Sequence, residues 1–334
     1  PKGKPEEKYS LKPVAKKLSE LLGQEVKMAG GIIDAETKKL ALGLKPREIL
    51  LLENIRFDPG EEKNDPAFAN ELASLAEIFV QDAFGTVHRA HASTAGIAKY
   101  LPSYAGFLLE KEINYFEKAL ENPQRFFVAI LGGAKVSDKI MVIENLLSKV
   151  DALIIGGAMA YTFLKSKNIA VGASLVETDK IENAARLIKK ADEKKVKLFF
   201  PIDHIIATKI SADANSKETH GVEIPDGWIG VDIGNMTVQR ISSIILQAKT
   251  IVWNGPMGVF EIDKFSNGTK KVSELVAEAT RRGATSILGG GDTISAVKKA
   301  GTKDQYSHIS TGGGASLELL EGKVLPGIAV LPDN

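Results

Sequence analysis

The feature that most constrains this chain is an alternation. Short apolar runs rich in Val, Ile and Leu cover 49–52, 78–80, 126–131, 152–155, 197–200, 250–253 and 285–288. Between them lie longer segments of helical period, at 11–22, 65–76, 107–120, 136–149, 179–194 and 268–282. Runs that are apolar on both faces, separated by amphipathic helices, specify a mostly parallel α/β sheet covered on both sides. In 179–194, Ile181, Ala184, Ala185 and Ile188 recur at helical spacing while the lysines fall on the opposite side, so that lysine cluster reads as a solvated helix face.

A chain of 334 residues is too long for one small core, and two domains are expected. The ends of the apolar runs change character part-way along. Early ones carry side chains, as in Glu53-Asn54-Ile55-Arg56-Phe57 and in the stretch from Gln81-Asp82-Ala83-Phe84 to His88-Arg89-Ala90-His91. After Gln124 they carry glycine: Gly132-Gly133, Gly156-Gly157, Gly255-Pro256, Gly289-Gly290-Gly291 and Gly312-Gly313-Gly314. The expected fold is therefore α/β, with two doubly wound parallel-sheet, Rossmann-like domains. The first would cover 1–106, a hinge helix 107–124, the second domain 125–321, and a tail over 322–334 would return towards the first.

Charge and composition remove several classes of function. Lys and Arg number 43 against 42 Asp and Glu, a formal charge of +1, which argues against a nucleic-acid partner because such proteins need a net basic footprint. With no Cys, disulfides, thiolate zinc sites, iron–sulfur clusters and a Cys nucleophile are all excluded. The most apolar stretch, 152–164, is short and broken by Gly156 and Gly157, so no membrane span is expected. The N-terminus has no apolar core of a secretory signal and no initiator Met.

In an open parallel sheet, ligands sit beyond the carboxyl ends of the strands. Five glycine-rich turns at those ends point to a phosphorylated ligand, since glycine lets backbone N–H groups and helix N-termini come close to an anion. No G-x-x-x-x-G-K-[ST] and no G-x-G-x-x-G is present, so this is neither a P-loop nor a dinucleotide fingerprint. In Gly132-Gly133-Ala134-Lys135-Val136-Ser137-Asp138-Lys139, two lysines four apart would share one face of a helix starting there and address one anion; the alternative is an exposed surface pair. Gly290-Gly291-Asp292-Thr293 offers an acid and a hydroxyl, suited either to an N-cap or to Mg²⁺ beside phosphates. The stretch from Trp253 and Asn254 to Glu261 mixes apolar wall with isolated polar groups, as a nucleoside pocket would. In the first half, Arg56 and Arg89 stand out among only 8 arginines against 35 lysines. Their planar forks suit carboxylate or phosphate. His88 and His91 flank Arg89, and His91 is balanced between a ligand-facing role and an ordinary half-buried imidazole.

These segments resemble the phosphoglycerate kinase family, of bacterial type. The resemblance rests on Leu51-Leu52-Glu53-Asn54-Ile55-Arg56-Phe57, Asp82-Ala83-Phe84-Gly85-Thr86-Val87-His88-Arg89-Ala90-His91, Leu131-Gly132-Gly133-Ala134-Lys135-Val136-Ser137-Asp138-Lys139, Val252-Trp253-Asn254-Gly255-Pro256 and Ser310-Thr311-Gly312-Gly313-Gly314-Ala315-Ser316, in the family's order. It implies reversible phosphoryl transfer between 1,3-bisphosphoglycerate and Mg-ADP, giving 3-phosphoglycerate and ATP, in a cytoplasmic and usually monomeric protein. It also implies site roles. Arg56 and Arg89 would bind 3-phosphoglycerate with His88 nearby, and Lys135 would stabilise the phosphoryl group in flight. Gly312, Gly313 and Gly314 would turn helix N–H groups towards that group. Lys139, Gly156, Gly157, Gly230, Asn254, Gly290, Gly291, Asp292 and Thr293 would serve the nucleotide, with Asp292 at the Mg²⁺ and Glu261 at the ribose. In the family, a His-Leu-Gly-Arg segment and two earlier βα units would precede Pro1. The first domain is thus expected to be incomplete, with a non-catalytic nucleotide-binding fragment as the alternative reading.

Overall fold

The computed structural model describes residue 1 and residues 3–332. The chain forms two units, Pro1–Glu110 with the residues from Val324 onward, and Lys111–Lys323.

The first unit begins with helix α1 (Lys12–Leu22), strand β1 (Val26–Met28), helix α2 (Ala35–Leu42) and strand β2 (Ile49–Leu51). Helices α3 (Pro59–Glu62) and α4 (Pro66–Ala73), then strands β3 (Phe79–Gln81) and β4 (Ser103–Ala105), complete it. Its helices start where local chemistry dictates. Asp34 caps α2 by accepting from the Thr37 N–H at 2.7 Å, Asp65 caps α4 through the Phe68 N–H at 2.9 Å, and Pro occupies the first turn of α1, α3 and α4. A small core of Phe68, Ala69, Leu72 and Ala92 packs against Ile32, Ile33, Leu52 and Ile97. The strands differ from the expected single sheet: β1 pairs in parallel with β2, and β3 with β4, as two separate two-stranded ladders. Each ladder has only three rungs, and Ile78, Val80 and Tyr104 are left more than half exposed, at 56%, 56% and 52%.

Helix α5 (Phe107–Leu120) begins where the Asp82 carboxylate accepts from the Leu108 and Leu109 N–H groups at 2.8 and 3.0 Å. The division between the two units falls between Glu110 and Lys111, inside this helix.

The second unit runs through β5 (Phe127–Leu131), α6 (Ile140–Leu146), β6 (Ala152–Ile155), α7 (Met159–Ser166), α8 (Ile181–Glu193) and β7 (Lys197–Phe199). It continues with β8 (His204–Ala207), β9 (Ser216–Glu218), β10 (Ile229–Ile233), α9 (Asn235–Gln247), β11 (Thr250–Asn254) and α10 (Asn267–Arg281). It ends with β12 (Thr285–Gly289), α11 (Gly291–Lys299), β13 (His308–Ile309) and α12 (Gly313–Leu320). Six strands form one parallel sheet in the order β13-β12-β11-β5-β6-β7. That order departs from β5 in both directions, so the sheet is doubly wound and its switch point lies between β5 and β11. Val128, Ile130, Ile251 and Trp253 lie in the core that α9 and α10 close with Ile241, Ile245, Val272 and Val276. The small antiparallel sheet β10-β8-β9 was not foreshadowed by the apolar runs. On its outer part Lys217 Nζ lies 4.5 Å from the ring centre of Trp228. After α12 the chain joins the first unit, where a last helix, α13 (Pro326–Ala329), is held by the Gly327 N–H donating to Val87 O at 2.8 Å. No helix among the described residues is long and apolar enough to cross a membrane.

His204 opens β8 fully buried, with Nε2 at 3.0 Å from Val222 O. Burial pushes its pKa down to about 4. The unfolded chain binds this proton more readily than the folded one, so stability from this group is complete above the ordinary histidine range and is lost as pH falls from about 6.5 to about 4. Over that window the loss is on the order of 3 kcal/mol. His204→Gln should flatten this part of the stability–pH curve relative to the parent in urea titrations. Parallel curves for the two proteins would show that His204 does not titrate in this way.

Candidate functional site

The site of the second unit is built by register. Gly289, Asn254, Leu131 and Ile155 lie on one rung across β12, β11, β5 and β6, so four neighbouring strands end level. A glycine follows each of them or closes it, and the turns after β5, β6 and β11 then meet backbone to backbone. Gly132 N–H donates to Asn254 O at 3.0 Å, Gly133 N–H to Pro256 O at 3.1 Å, and Gly157 N–H to Met257 O at 3.0 Å. A Cβ on Gly132 would lie 2.0 Å from Pro256 O, and one on Gly255 would lie 2.2 Å from Gly132 O. Behind them the fully buried Trp253 donates its indole N–H to Gly255 O at 2.8 Å, and Thr293 Oγ1 accepts from the Gly255 N–H at 2.7 Å.

Two cavities open on this floor. One, of about 560 Å³, is lined by Gly132 to Lys135, Asp138, Lys139, Asn254 to Pro256, Gly290 to Thr293, Gly313 and Gly314. The other, of about 250 Å³, is narrower and more apolar, with Tyr161, Ile210, Met257 and Val259 beside Gly157, Gly230, Glu261 and Asp292. The two share Gly133, Ala134, Pro256 and Asp292, so they adjoin. Polar groups collect in the first and apolar wall in the second, as a molecule with a charged end and a flat apolar end requires. Tyr161 and Ile210 were missed from sequence, because an apolar residue on a helix or in a loop looks like core until the chain is folded, whereas Val259 belongs to the stretch expected to wall a nucleoside pocket.

Several expected roles take a different physical form. Lys135 and Lys139 do not share a helix face, because α6 begins only at Ile140 and 136–139 is a turn. The turn is held by the Glu177 carboxylate, which accepts from the Ser137 N–H at 3.0 Å and from Ser137 Oγ at 2.6 Å. Both lysines nevertheless line the larger cavity. Lys139 donates to Asn254 Oδ1, and burial holds its pKa below the usual lysine range. Asp292 is not an N-cap: Gly290 precedes the helix, and Asp292 is exposed in its first turn. Gly156 lines neither cavity but packs on Met257, where a Cβ would meet the sulfur at 2.5 Å. The Gly312 N–H is engaged by Ser310 Oγ at 3.3 Å, whereas Gly313 and Gly314 line the larger cavity.

The turn that carries these last glycines is clamped from behind. Glu112, buried in the second-unit part of α5, accepts from Thr311 N–H at 2.6 Å, from Thr311 Oγ1 at 2.8 Å and from His308 Nε2 at 2.7 Å. Tyr115 stacks on the His308 ring with 4.6 Å between centres. Burial alone would raise the Glu112 pKa, but the bonds from His308 and Thr311 outweigh it and hold the carboxyl below its ordinary range.

In the first unit, Arg56 sits in a single 3₁₀ turn, Ile55–Phe57, started by Asn54 Oδ1 accepting from the Arg56 N–H at 3.1 Å. Arg89 Nε lies 3.2 Å from His88 Nε2. His91 is lowered in pKa by burial, and the Arg56 and Arg89 charges push the same way, so the structure brings these three groups into one electrostatic neighbourhood. The segment is rigid: Thr94 Oγ1 donates to Arg89 O at 2.6 Å, and buried Glu61 accepts from Ser93 N–H at 3.0 Å and Ser93 Oγ at 2.7 Å.

Known proteins carry the same pattern. The family model described as phosphoglycerate kinase matches residues 1–323. A phosphoglycerate kinase of Chlorobium limicola is 58% identical over 334 residues, covering all of this chain and 84% of that protein. A cytosolic phosphoglycerate kinase of Nicotiana tabacum is 56% identical over 327 residues, covering 98% of this chain and 82% of the relative. The solved structure of phosphoglycerate kinase from Coxiella burnetii superposes with a TM-score of 0.89 at 44% identity, covering 99% of this chain and 82% of that one.

Removing the Glu112 carboxylate leaves the buried His308 ring without its partner and releases the Thr311 N–H. Glu112→Ala should therefore cost on the order of 3–5 kcal/mol in denaturant unfolding of the second unit and speed hydrogen exchange at Thr311. An unchanged midpoint with unchanged Thr311 exchange would remove the clamp from this account.

Proposed function

Since the chain belongs to the phosphoglycerate kinase family, we propose how its own residues carry out that family's reaction. The reaction is the reversible transfer of a phosphoryl group between 1,3-bisphosphoglycerate and ADP, giving 3-phosphoglycerate and ATP in glycolysis. The chain is thus a phosphotransferase with a carboxyl group as acceptor. The observation that carries the residue assignments is the pair of adjoining cavities at the switch point, polar at one end and apolar at the other, with Asp292 common to both.

The nucleoside lies in the smaller cavity, with Glu261 at the ribose and Gly157 and Gly230 against the base. Gly156 supports that wall through Met257. The phosphates lie in the larger cavity, on Lys139, Asn254, Gly290, Gly291 and Thr293. Mg²⁺ fits this donor set: Asp292 is exposed in the first turn of α11 and lines the phosphate cavity, and a metal that travels on phosphates and keeps its waters needs only one carboxylate. Asp292 would hold the ion, which would neutralise phosphate charge.

In the forward direction a β-phosphate oxygen of ADP attacks the phosphorus of the acyl phosphate. The bond from phosphorus to the carboxyl oxygen breaks, and the bonding pair leaves on the carboxylate of 3-phosphoglycerate. No protein nucleophile is needed, so catalysis is positioning plus fixed positive charge on the three oxygens in flight. Lys135 supplies that charge, with the amides of Gly313 and Gly314, while Gly312 shapes the turn that presents them. Arg56 and Arg89 bind the phosphoglycerate, with His88 fixing Arg89. This is supported by the Arg56 and Arg89 charges both acting on His91, which puts the two guanidinium groups near one another. The protein acts as a monomer in the cytoplasm, in keeping with the cytosolic name of the tobacco relative.

The direct test is a coupled assay of ATP formation from 1,3-bisphosphoglycerate and Mg-ADP. ATP is expected only with both substrates present. Tight calorimetric binding of ADP without any ATP formation would leave a binder without turnover. Lys135→Ala should lower kcat far more than it weakens ADP binding, because its charge acts mainly in the transition state. Equal loss of ADP affinity with kcat intact would reassign it to ground-state binding.

Arg56→Lys and Arg89→Lys keep the charge but lose the fork. Each should raise the KM for 3-phosphoglycerate by about one to two decades, the worth of one charge-assisted hydrogen bond, and leave the KM for ATP nearly unchanged. A parallel rise in both constants would refute the division of labour between the units.

A further inference from the structure

Helix α11 touches the site at both ends. Its first turn carries Gly291, Asp292 and Thr293 of the phosphate cavity, and its last residue is Lys299, about 12 Å along the axis. Lys299 Nζ donates to Phe260 O at 2.9 Å and to Glu261 O at 3.0 Å, and pairs with Asp263 Oδ1 at 2.6 Å. The loop it reaches is the one that presents Glu261 to the nucleoside cavity. Buried side chains pin that loop at its flanks. Thr293 Oγ1 takes the Gly255 N–H, Thr269 Oγ1 takes the Met257 N–H at 3.0 Å, and Asp232 Oδ2 takes the Gly268 N–H at 2.7 Å. In its middle, Val259, Ile262 and the fully buried Phe265 pack with Ala207, Ala214 and Val231 on one side only. The side towards α11 is not filled: a cavity of about 360 Å³ lies there, lined by Phe260, Asp263, Asn267 and Ala296, with Lys299 on its wall.

We propose that Lys299 is a positioning residue for the nucleotide. It holds the Glu261 loop at a set distance from the phosphate-facing end of its own helix, and so decides how strongly a nucleoside diphosphate is preferred to a bare polyphosphate. This rests on the assignment of the two cavities to nucleoside and phosphates. The two carbonyl bonds do the holding. The ion pair contributes little, because the Asp263 side chain is 91% exposed.

The test compares Lys299→Met, Lys299→Arg and Asp263→Asn with the parent chain. Lys299→Met should weaken Mg-ADP binding about tenfold or more in calorimetry and raise its KM to match, with kcat at saturation within about twofold. Its affinity for tripolyphosphate, which has no nucleoside, should stay within about twofold of the parent. Lys299→Arg should recover most of the ADP affinity, and Asp263→Asn should resemble the parent. Hydrogen exchange of the ligand-free protein gives a second readout that needs no nucleotide: the Ile262 and Phe265 amides should exchange faster in Lys299→Met alone. Equal losses for ADP and tripolyphosphate would mean that α11 as a whole is disturbed, and would overturn the proposal. So would unchanged exchange in the loop, or an unchanged ADP affinity. A parent chain that bound no ADP would refute the cavity assignment instead, and the exchange result would still decide whether Lys299 holds the loop.

Discussion

The direct contact of three backbone turns, with no side chain between them, is the constraint on which the second unit depends. Strands β11, β5 and β6 end on the same rung, and the peptide groups that follow bond to one another within 3.0–3.1 Å. A Cβ at Gly132 or Gly255 would need space already filled by carbonyl oxygen. The chain must therefore supply glycine there for steric reasons before any ligand is considered. Once it does, the floor of the site consists of peptide groups whose orientation is set by the sheet. Such a floor needs no reorganisation as charge moves across it, which is what electrostatic preorganisation requires.

The candidate sites of the two units differ in chemistry. In the first, Arg56, Arg89 and His91 share one neighbourhood, and their positions are set by short turns and side-chain bonds from Asn54, Glu61 and Thr94. In the second, one half-buried lysine, one exposed lysine and many glycines line the cavity, and helix starts and strand ends supply further positive potential. Guanidinium forks suit a small ligand with a carboxylate and a phosphate, whereas backbone N–H groups suit an extended phosphate chain that must slide between bonding states.

Much of this was legible from residue patterns where strand and helix are long and their ends are chemically marked. The apolar runs at 126–131, 152–155, 250–253 and 285–288 became central strands within a residue at either end, and Gly132, Gly133, Gly157, Gly255, Gly290 and Gly291 after them line the two cavities, whereas Gly156 and Gly289 do not. Legibility failed where tertiary bonds override local signals. Ser137 looks like the first turn of a helix, yet its bonds to Glu177, forty positions away, delay α6 to Ile140. The three antiparallel strands β8, β9 and β10 are short, and β9 is Ser-Lys-Glu, fully exposed, so no apolar period announces it. The pairing of the first unit's strands in two ladders was equally hidden, since three-residue strands carry no record of their partners. Glu112 shows the same limit: nothing near it in sequence says that a glutamate in the middle of a helix serves a turn two hundred residues later.

The indole of Trp253, hydrogen-bonded to the carbonyl of Gly255, gives the molecule a built-in optical probe. The chain has only two tryptophans, and both belong to the second unit. Trp228 is partly exposed beneath a lysine, while Trp253 is sealed in the core directly under the turn contact. Tryptophan emission is consequently blind to the first unit and dominated by two contrasting surroundings. The quenched or red-shifted component follows solvent at the edge of the small sheet, and the sealed component follows the state of the floor itself. Far-ultraviolet dichroism, which counts helices in both units, would then diverge from emission whenever the first unit melts alone, so the pair of signals separates the stabilities of two units in one unlabelled chain.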